Sequence, residues 1–324
     1  MSDFGHRSIF KKNEKWGYSY RKNLYARFLS SDSKFGSYLI QSNSEGFRNE
    51  YNSEDFIKSK CKKILLIGCS FAAGDGVSNN QRFLDIFCNE SDYIMYNAAI
   101  PGTGHDQQFL ILKDLIKKLK PDFVFFAPYS GCANRNLAST RAFKDSLHGS
   151  YTNRPKPFFT ITNNSLKLNN VPVPAWEILP KLIKNNKKNS IYSRFSDLIN
   201  KIPYFRIKEF NKIYSGKDKY GQKLTRLIFK EILSLTKENG AKLIVMPLPA
   251  EHDFNSNKYL VNNFYNELAS ENNFLYIDVK STLDKLNKQQ KTKLFISSDG
   301  HYSPFGHKKI SEIIQNSNVW DPSK

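Results

Sequence analysis

The chain has 324 residues, of which 40% are hydrophobic, 24% charged and 14% aromatic. That balance excludes collagen-like, coiled-coil and wholly disordered chains, and the length is enough for a core without disulfide staples. A count of 49 Lys and Arg against 30 Asp and Glu gives a formal charge of +19, which raises nucleic acid, an anionic surface or an acidic substrate as partners.

The basic residues are scattered in pairs such as Lys11-Lys12, Lys62-Lys63, Lys117-Lys118 and Lys187-Lys188, with no long like-charge block. Lys outnumbers Arg and the chain is rich in Asn and Ile. The excess therefore reads as residue usage on a solvated surface, and no specific nucleic-acid site is expected. Met1 to Lys12 has no apolar segment of the kind a secretion signal needs, and no apolar run is long enough to cross a membrane. Cys61, Cys69, Cys88 and Cys132 show neither CxxC nor a zinc-ligand spacing with histidines. The expectation is a cytoplasmic protein with reduced thiols, no metal and no cofactor.

Residues 1–60 are polar, aromatic-rich and irregular in pattern, and read as an arm that packs on a core through its aromatics. From 61 onward the pattern changes, and 61–320 reads as a single domain. Apolar runs without alternation fall at 63–68, 93–100, 122–129, 241–247 and 274–279. Such runs suit strands covered on both faces, as in a parallel sheet. Helical spacing runs from His105 to Lys120, stopped by Pro121, and from Tyr220 to Asn239, stopped by Gly240. It recurs from Lys258 to Asn273 and again after Ser303-Pro304, an N-cap followed by Pro at the first helical position. The alternation predicts an α/β fold: a three-layer α/β/α sandwich around a five-stranded, mainly parallel sheet. Residues 140–219 interrupt it as an insertion over the C-terminal strand edge, where ligands bind in such folds, with a hairpin expected around Asn163-Asn164.

Chemistry-bearing residues gather at the predicted strand ends. Gly68-Cys69-Ser70-Phe71 and Gly74-Asp75-Gly76 place a serine at a sharp turn beside the free N–H groups of a helix start. There is no Walker Lys and no GxGxxG, which weakens a nucleotide reading. Asn97 to His105 brings Gly102, able to offer an unhindered N–H. Tyr129 to Asn136 brings side-chain amides, although an Asn there is more often a turn or cap residue. Ser298 to His307 places Asp299 two residues before His301, on the same side of an extended segment. His307, inside the last helix, reads as structural. The site contains Asp75 and Asp299 and no Lys or Arg cluster dedicated to phosphate.

In order and position these segments resemble the SGNH hydrolases, the GDSL-like esterase superfamily. Gly68-Cys69-Ser70-Phe71 is similar to its first block, Gly102 falls at the second-block glycine, Gly131 to Asn136 corresponds to the third, and Asp299-Gly300-His301 to the fifth. Asn43-Ser44-Glu45-Gly46-Phe47-Arg48 and the 140–219 insertion resemble a bacterial branch with an N-terminal arm. Cys69 stands where the family has Asp, the third block is irregular, and the Asp-to-His spacing is two rather than three. The resemblance implies a flavodoxin-like fold and acyl-ester chemistry. Ser70 would be the nucleophile, His301 the base and Asp299 its orienting carboxylate. The Ser70 and Gly102 N–H groups with the Asn134 amide, or Asn136 behind it, would form the oxyanion hole. It implies a small-molecule or carbohydrate ester as substrate, anionic ones included, with hydrolysis or transfer of a small acyl group. The alternative is a non-catalytic carbohydrate- or partner-binding module on the same scaffold. If the first and third strands are neighbours, Cys69 and Cys132 lie close together, more simply as two core thiols than as a disulfide switch.

Overall fold

The computed structural model describes residues 9–144, 151–175, 211–255, 259–297 and 299–320. The arm opens with two antiparallel strand pairs, β1 (Phe10–Asn13) with β2 (Gly17–Tyr20) and β3 (Tyr25–Leu29) with β4 (Ser37–Gln41), followed by helix α1 (Ser53–Lys58). It is thus more regular than its composition predicts. Its short strands lack long periodic runs, and aromatic packing of Phe10, Trp16, Tyr18 and Tyr20 into the main core supplies what local pattern does not.

The central sheet is built from β5 (Lys62–Gly68), β6 (Tyr93–Asn97), β7 (Phe123–Ala127), and, after the insertion, Lys242–Val245 and Leu275–Tyr276. The insertion contributes two further antiparallel pairs, β8 (Thr140–Lys144) with β9 (Tyr151–Pro155) and β10 (Phe158–Thr162) with β11 (Ser165–Asn169). Lys242–Val245 is therefore β12 and Leu275–Tyr276 is β13. The order is β13-β12-β7-β5-β6 with every pairing parallel. Numbered along the chain, this is the 2-1-3-4-5 order of a flavodoxin-like sheet, whose topological switch lies between β5 and β7. The predicted strands lie at their expected positions; β13 is shorter than the apolar run that announced it.

Alternate residues of the central strands feed opposite layers, because side chains of a strand point up and down in turn. Leu65, Ile67, Val124 and Phe126 pack with helices α4 (His105–Leu119), α6 (Lys219–Glu238) and α7 (Leu260–Asn272). Ile64, Leu66, Phe123 and Phe125 face the other layer, formed by α3 (Phe83–Asn89) and α10 (Pro304–Gln315). All eight are buried, at about 1.5–3 kcal/mol for each large side chain removed from water. Two short helices complete the strand ends, α2 (Ser70–Ala73) after β5 and α5 (Cys132–Arg135) after β7. Between α7 and α10 lie α8 (Val279–Leu283) and α9 (Lys288–Lys291).

The hairpin expected at Asn163-Asn164 is present: both residues have positive φ, 50° and 61°, as a two-residue type I′ turn between β10 and β11 requires. The rest of the insertion reading, at 145–150 and 176–210, lies outside the described residues, as does Ser298.

Candidate active site

Ser70 is the first residue of α2, directly past β5. The turn is tight enough to demand glycine before it: a Cβ on Gly68 would come within 2.5 Å of the Ala72 Cβ. Ser70 is 8% exposed, and its Oγ lies 2.8 Å from His301 Nε2. His301 Nδ1 in turn is 3.0 Å from Asp299 Oδ1. The two-residue spacing that departs from the family pattern still closes this contact. Ile296 makes it possible: its carbonyl accepts from the Asp299 and Gly300 N–H groups, and its own N–H donates to the His301 carbonyl, folding the segment back on itself. Ser303 then caps α10, its Oγ accepting from Gly306 N–H at 3.1 Å, with Pro304 at the first helical position.

The imidazole is also held by rings. Phe71 lies 4.9 Å from the His301 ring and stacks on Tyr129 at 4.7 Å, while Tyr302 meets Phe71 edge-on at 5.3 Å. Burial alone pulls the His301 pKa down; the Asp299 hydrogen bond, with the charges of Asp75 and Asp299, outweighs it and leaves the pKa raised. His307 behaves differently. It is buried in α10, its Nδ1 accepts from Phe83 N–H at 3.2 Å, and burial, with Arg48 and Arg82 nearby, lowers its pKa to about 3. It is a neutral core histidine, as its place in the helix predicted.

The second strand end approaches Ser70 through backbone stitching. Ile100 N–H and Thr103 Oγ1 both donate to the Gly68 carbonyl. Gly102 sits in that loop with φ +78°, a conformation that favours glycine. Of the two amides at the third strand end, Asn136 is spent: its Oδ1 accepts from Asp106 N–H and its Nδ2 donates to Thr225 Oγ1. Asn134 is half-buried with its Oδ1 enclosed and unpartnered.

Because β5 and β7 are neighbours, Cys69 and Cys132 meet at the strand ends. Both are buried and free of any disulfide. Burial pushes both thiols up, but a hydrogen bond between them and the Arg135 guanidinium favour charge on Cys69, leaving Cys132 the protonated partner.

Sequence reading missed three contributors. Arg48, fully buried, donates to the carbonyls of Ala73, Gly74 and Val77 and to Asn79 Oδ1, fixing the loop that follows Ser70. It stands at the end of Asn43 to Arg48, but nothing in the sequence says where its guanidinium goes. Arg135 donates to Thr103 O at 3.0 Å and lies over the Tyr129 ring. Arg141 reaches the same loop from β8: a Cβ on Gly102 would lie 2.7 Å from its Nε. Arg135 and Arg141 thus stand at the strand ends, where the sequence reading expected no Lys or Arg cluster dedicated to phosphate. Strand β8 brings Arg141 to this edge, a position that local sequence could not assign to it.

No protein-family model matches the chain, and no curated protein matches it. Solved structures similar to it include a member of the lipolytic protein G-D-S-L family from Veillonella parvula DSM 2008, at 11% identity and TM-score 0.44, covering 80% of this chain and 100% of the other. A lipase/acylhydrolase from Enterococcus faecalis aligns at 13% identity and TM-score 0.41, covering 78% and 93%. An acetyl xylan esterase aligns at 13% identity and TM-score 0.42, covering 79% and 100%.

Proposed function

We propose that the chain is a serine ester hydrolase of the SGNH type. The observation that carries this reading is the continuous relay from Ser70 Oγ through His301 to Asp299, at 2.8 and 3.0 Å, at the topological switch of the sheet where such folds bind ligands. In the proposed reaction Ser70 attacks the ester carbonyl while His301 Nε2 takes its proton and later returns it to the leaving alcohol. Asp299 holds the imidazole tautomer and stabilises the imidazolium. Water, activated by the same histidine, then releases the acid from the acyl-enzyme; a sugar hydroxyl in its place gives transfer instead of hydrolysis.

The tetrahedral oxyanion would be met by the Ser70 N–H, which as the first of a helix has no intrahelical acceptor, by the Gly102 N–H and by the Asn134 side-chain amide. Asn134 is favoured over Asn136 because the latter's amide is already committed at both ends. We assign the site a small acyl group on a carbohydrate or related ester, with the insertion forming one wall.

The test is covalent labelling with a fluorophosphonate together with aryl acetate hydrolysis. Labelling at Ser70, lost in Ser70→Ala, is the expected result. Folded protein that neither labels nor hydrolyses an aryl acetate is instead the non-catalytic binding module, the reading kept open by the irregular third block.

A further inference from the structure

Cys69 directly precedes Ser70, and Cys132 lies two residues before Asn134. The two buried thiols therefore join the strand ends that carry the nucleophile and the proposed amide donor, and they hydrogen-bond one another. Thiols enclosed by apolar groups alone are inert, but polar donors point at these. Gln108 Nε2 lies 3.7 Å and Arg135 Nη1 3.8 Å from Cys132 Sγ, and the Arg135 guanidinium also reaches Cys69. Among the described residues Arg135 pairs with no carboxylate; its other contacts are the Thr103 carbonyl and the Tyr129 ring. The sulfur pair supplies the negative charge this cation otherwise lacks, and the charge rests on Cys69, where His301 feels it as well. Cys88 differs: burial, with Asp85 and Cys61 nearby, pushes its thiol up and leaves it a poor nucleophile.

Resting on the ester-hydrolase reading, we propose that Cys69 and Cys132 are a redox pair that a peroxide closes to a disulfide, and that closure switches the Ser70 site off. The Cys69 thiolate attacks one peroxide oxygen; the O–O bond breaks and releases hydroxide, which takes a proton from solvent. The Cys132 thiol then attacks the resulting sulfenic sulfur. The S–S bond forms, and the hydroxyl leaves with the Cys132 proton as water. Two electrons pass from the sulfur atoms to the peroxide, which ends as two waters, and a dithiol reductant reverses the step. Closure draws the sulfur atoms from hydrogen-bond contact to a covalent bond, so the Ser70 turn moves against the third strand end. It also removes the charge that faces Arg135. Displacement of about 1 Å at a catalytic site costs about 10²-fold in rate. A transient disulfide of this kind suits surroundings that otherwise keep thiols reduced.

The experiment titrates the reduced full chain with hydrogen peroxide and takes two readings from each sample. Peptide mapping after alkylation is expected to find Cys69 linked to Cys132 before Cys61 or Cys88 changes. Turnover of an aryl acetate should fall by about 10²-fold in step with the linked peptide and return with dithiothreitol. Cys132→Ala, which has no second thiol, should form no linked peptide and carry instead a sulfenic acid at Cys69, trapped with dimedone. Arg135→Met should slow closure by about tenfold, the effect of one pKa unit on the thiolate, and Arg135→Lys should keep most of the rate. A loosened fold would expose the thiols and speed closure, so it cannot imitate that result. The proposal is overturned if Cys69 and Cys132 stay reduced while Cys61 or Cys88 oxidises, if the linked protein keeps full turnover, or if closure is as fast in Arg135→Met. If the reduced protein turns over no ester and Ser70 is not labelled, the hydrolase reading fails by itself. The linked peptide then decides the redox pair alone, which stands where the peptide forms and falls where it does not.

Discussion

Two arginine groups bracket the Ser70 turn, and they differ in what their donors reach. Arg48, in the arm, is fully buried, and its guanidinium ends on backbone carbonyls from Leu39, Ala73, Gly74 and Val77 and on Asn79. Arg82 beside it donates to the Arg48 carbonyl and closes on Asp85. That network is directed inward and holds the loop after the nucleophile in one shape. Arg141, in the insertion, is set instead against the Gly102 loop at the strand edge, and Arg135 donates to the Thr103 carbonyl on the same loop. A guanidinium spent on carbonyls rigidifies a turn, whereas Arg141 reaches its loop through the Tyr18 hydroxyl, which donates to the Pro101 carbonyl. The same residue type thus holds a loop from the arm on one side and meets a strand-end glycine on the other.

The largest effect that bears on this contrast concerns the relay both groups flank. Ser70→Ala should lower ester turnover by about 10⁴-fold or more, measured with an aryl acetate, while far-UV circular dichroism stays native. If turnover survives, neither arginine group surrounds an active site.

Arg48→Met tests the positioning side. It removes the donors of several buried carbonyls, and each buried acceptor left unsatisfied costs about 1–3 kcal/mol. Chemical denaturation should show that loss, with turnover falling alongside it because the Ser70 loop is released. A near-neutral result would mean the arm does not hold the turn.

Asn134→Ala should reduce kcat by about 10²–10³-fold if its amide is an oxyanion donor, whereas Asn136→Ala should act on stability first, through its bonds to Asp106 N–H and Thr225. Kinetics on the two variants, with melting temperatures alongside, separates those roles.

The pH profile gives a finer test. His301 must be neutral to accept the Ser70 proton, and its pKa is raised above the ordinary 6.5 because the Asp299 hydrogen bond and the Asp75 and Asp299 charges outweigh burial. Hence kcat/KM should rise with pH through a midpoint above 6.5, activity being lost on the acid side where the imidazole is protonated. Asp299→Asn removes the raising contact and should move that midpoint downward while lowering the plateau. A midpoint that stays put would detach Asp299 from His301.

The smallest expected effect is at Gly102. Gly102→Ala places a Cβ 2.7 Å from Arg141 Nε and 3.0 Å from Tyr18 Oη at a positive φ. The long arginine side chain can shift, so stability should fall by only about 1–2 kcal/mol. Thermal denaturation checks that loss, and ester turnover should fall alongside it if the Gly102 N–H meets the oxyanion.

The sequence was most informative where the chemistry is local. Gly68 to Ser70, Gly102 and Asp299 to His301 could each be read from turn residues at the ends of apolar runs, because a parallel sheet brings its C-terminal strand ends together whatever the intervening lengths. The core strands and the long helices were legible for the same reason: their periodicity is set by burial on one or two faces. The arm's strand pairs were not, since four- and five-residue strands leave too short a pattern and depend on distant contacts: Gln107 donates to the Trp16 carbonyl beside β1 and β2, and Asn79 bonds to Gln41 of β4. The third-strand amide was ambiguous between Asn134 and Asn136 in sequence, because only the fold shows that Asn136 is bonded at both ends; the role of Asn134 is a proposal that rests on that contrast.

By itself, then, the sequence determined the sheet, its helices and the residue types at each strand end, all consequences of short-range pattern. Only the tertiary structure decided which side chains meet. It joined Ser70 to His301 across 231 positions, sent Arg48 into the Ser70 loop, brought Cys69 against Cys132 and laid Arg141 on Gly102. Each of those contacts depends on strand order or on the path of the insertion, and neither is encoded by neighbours along the chain.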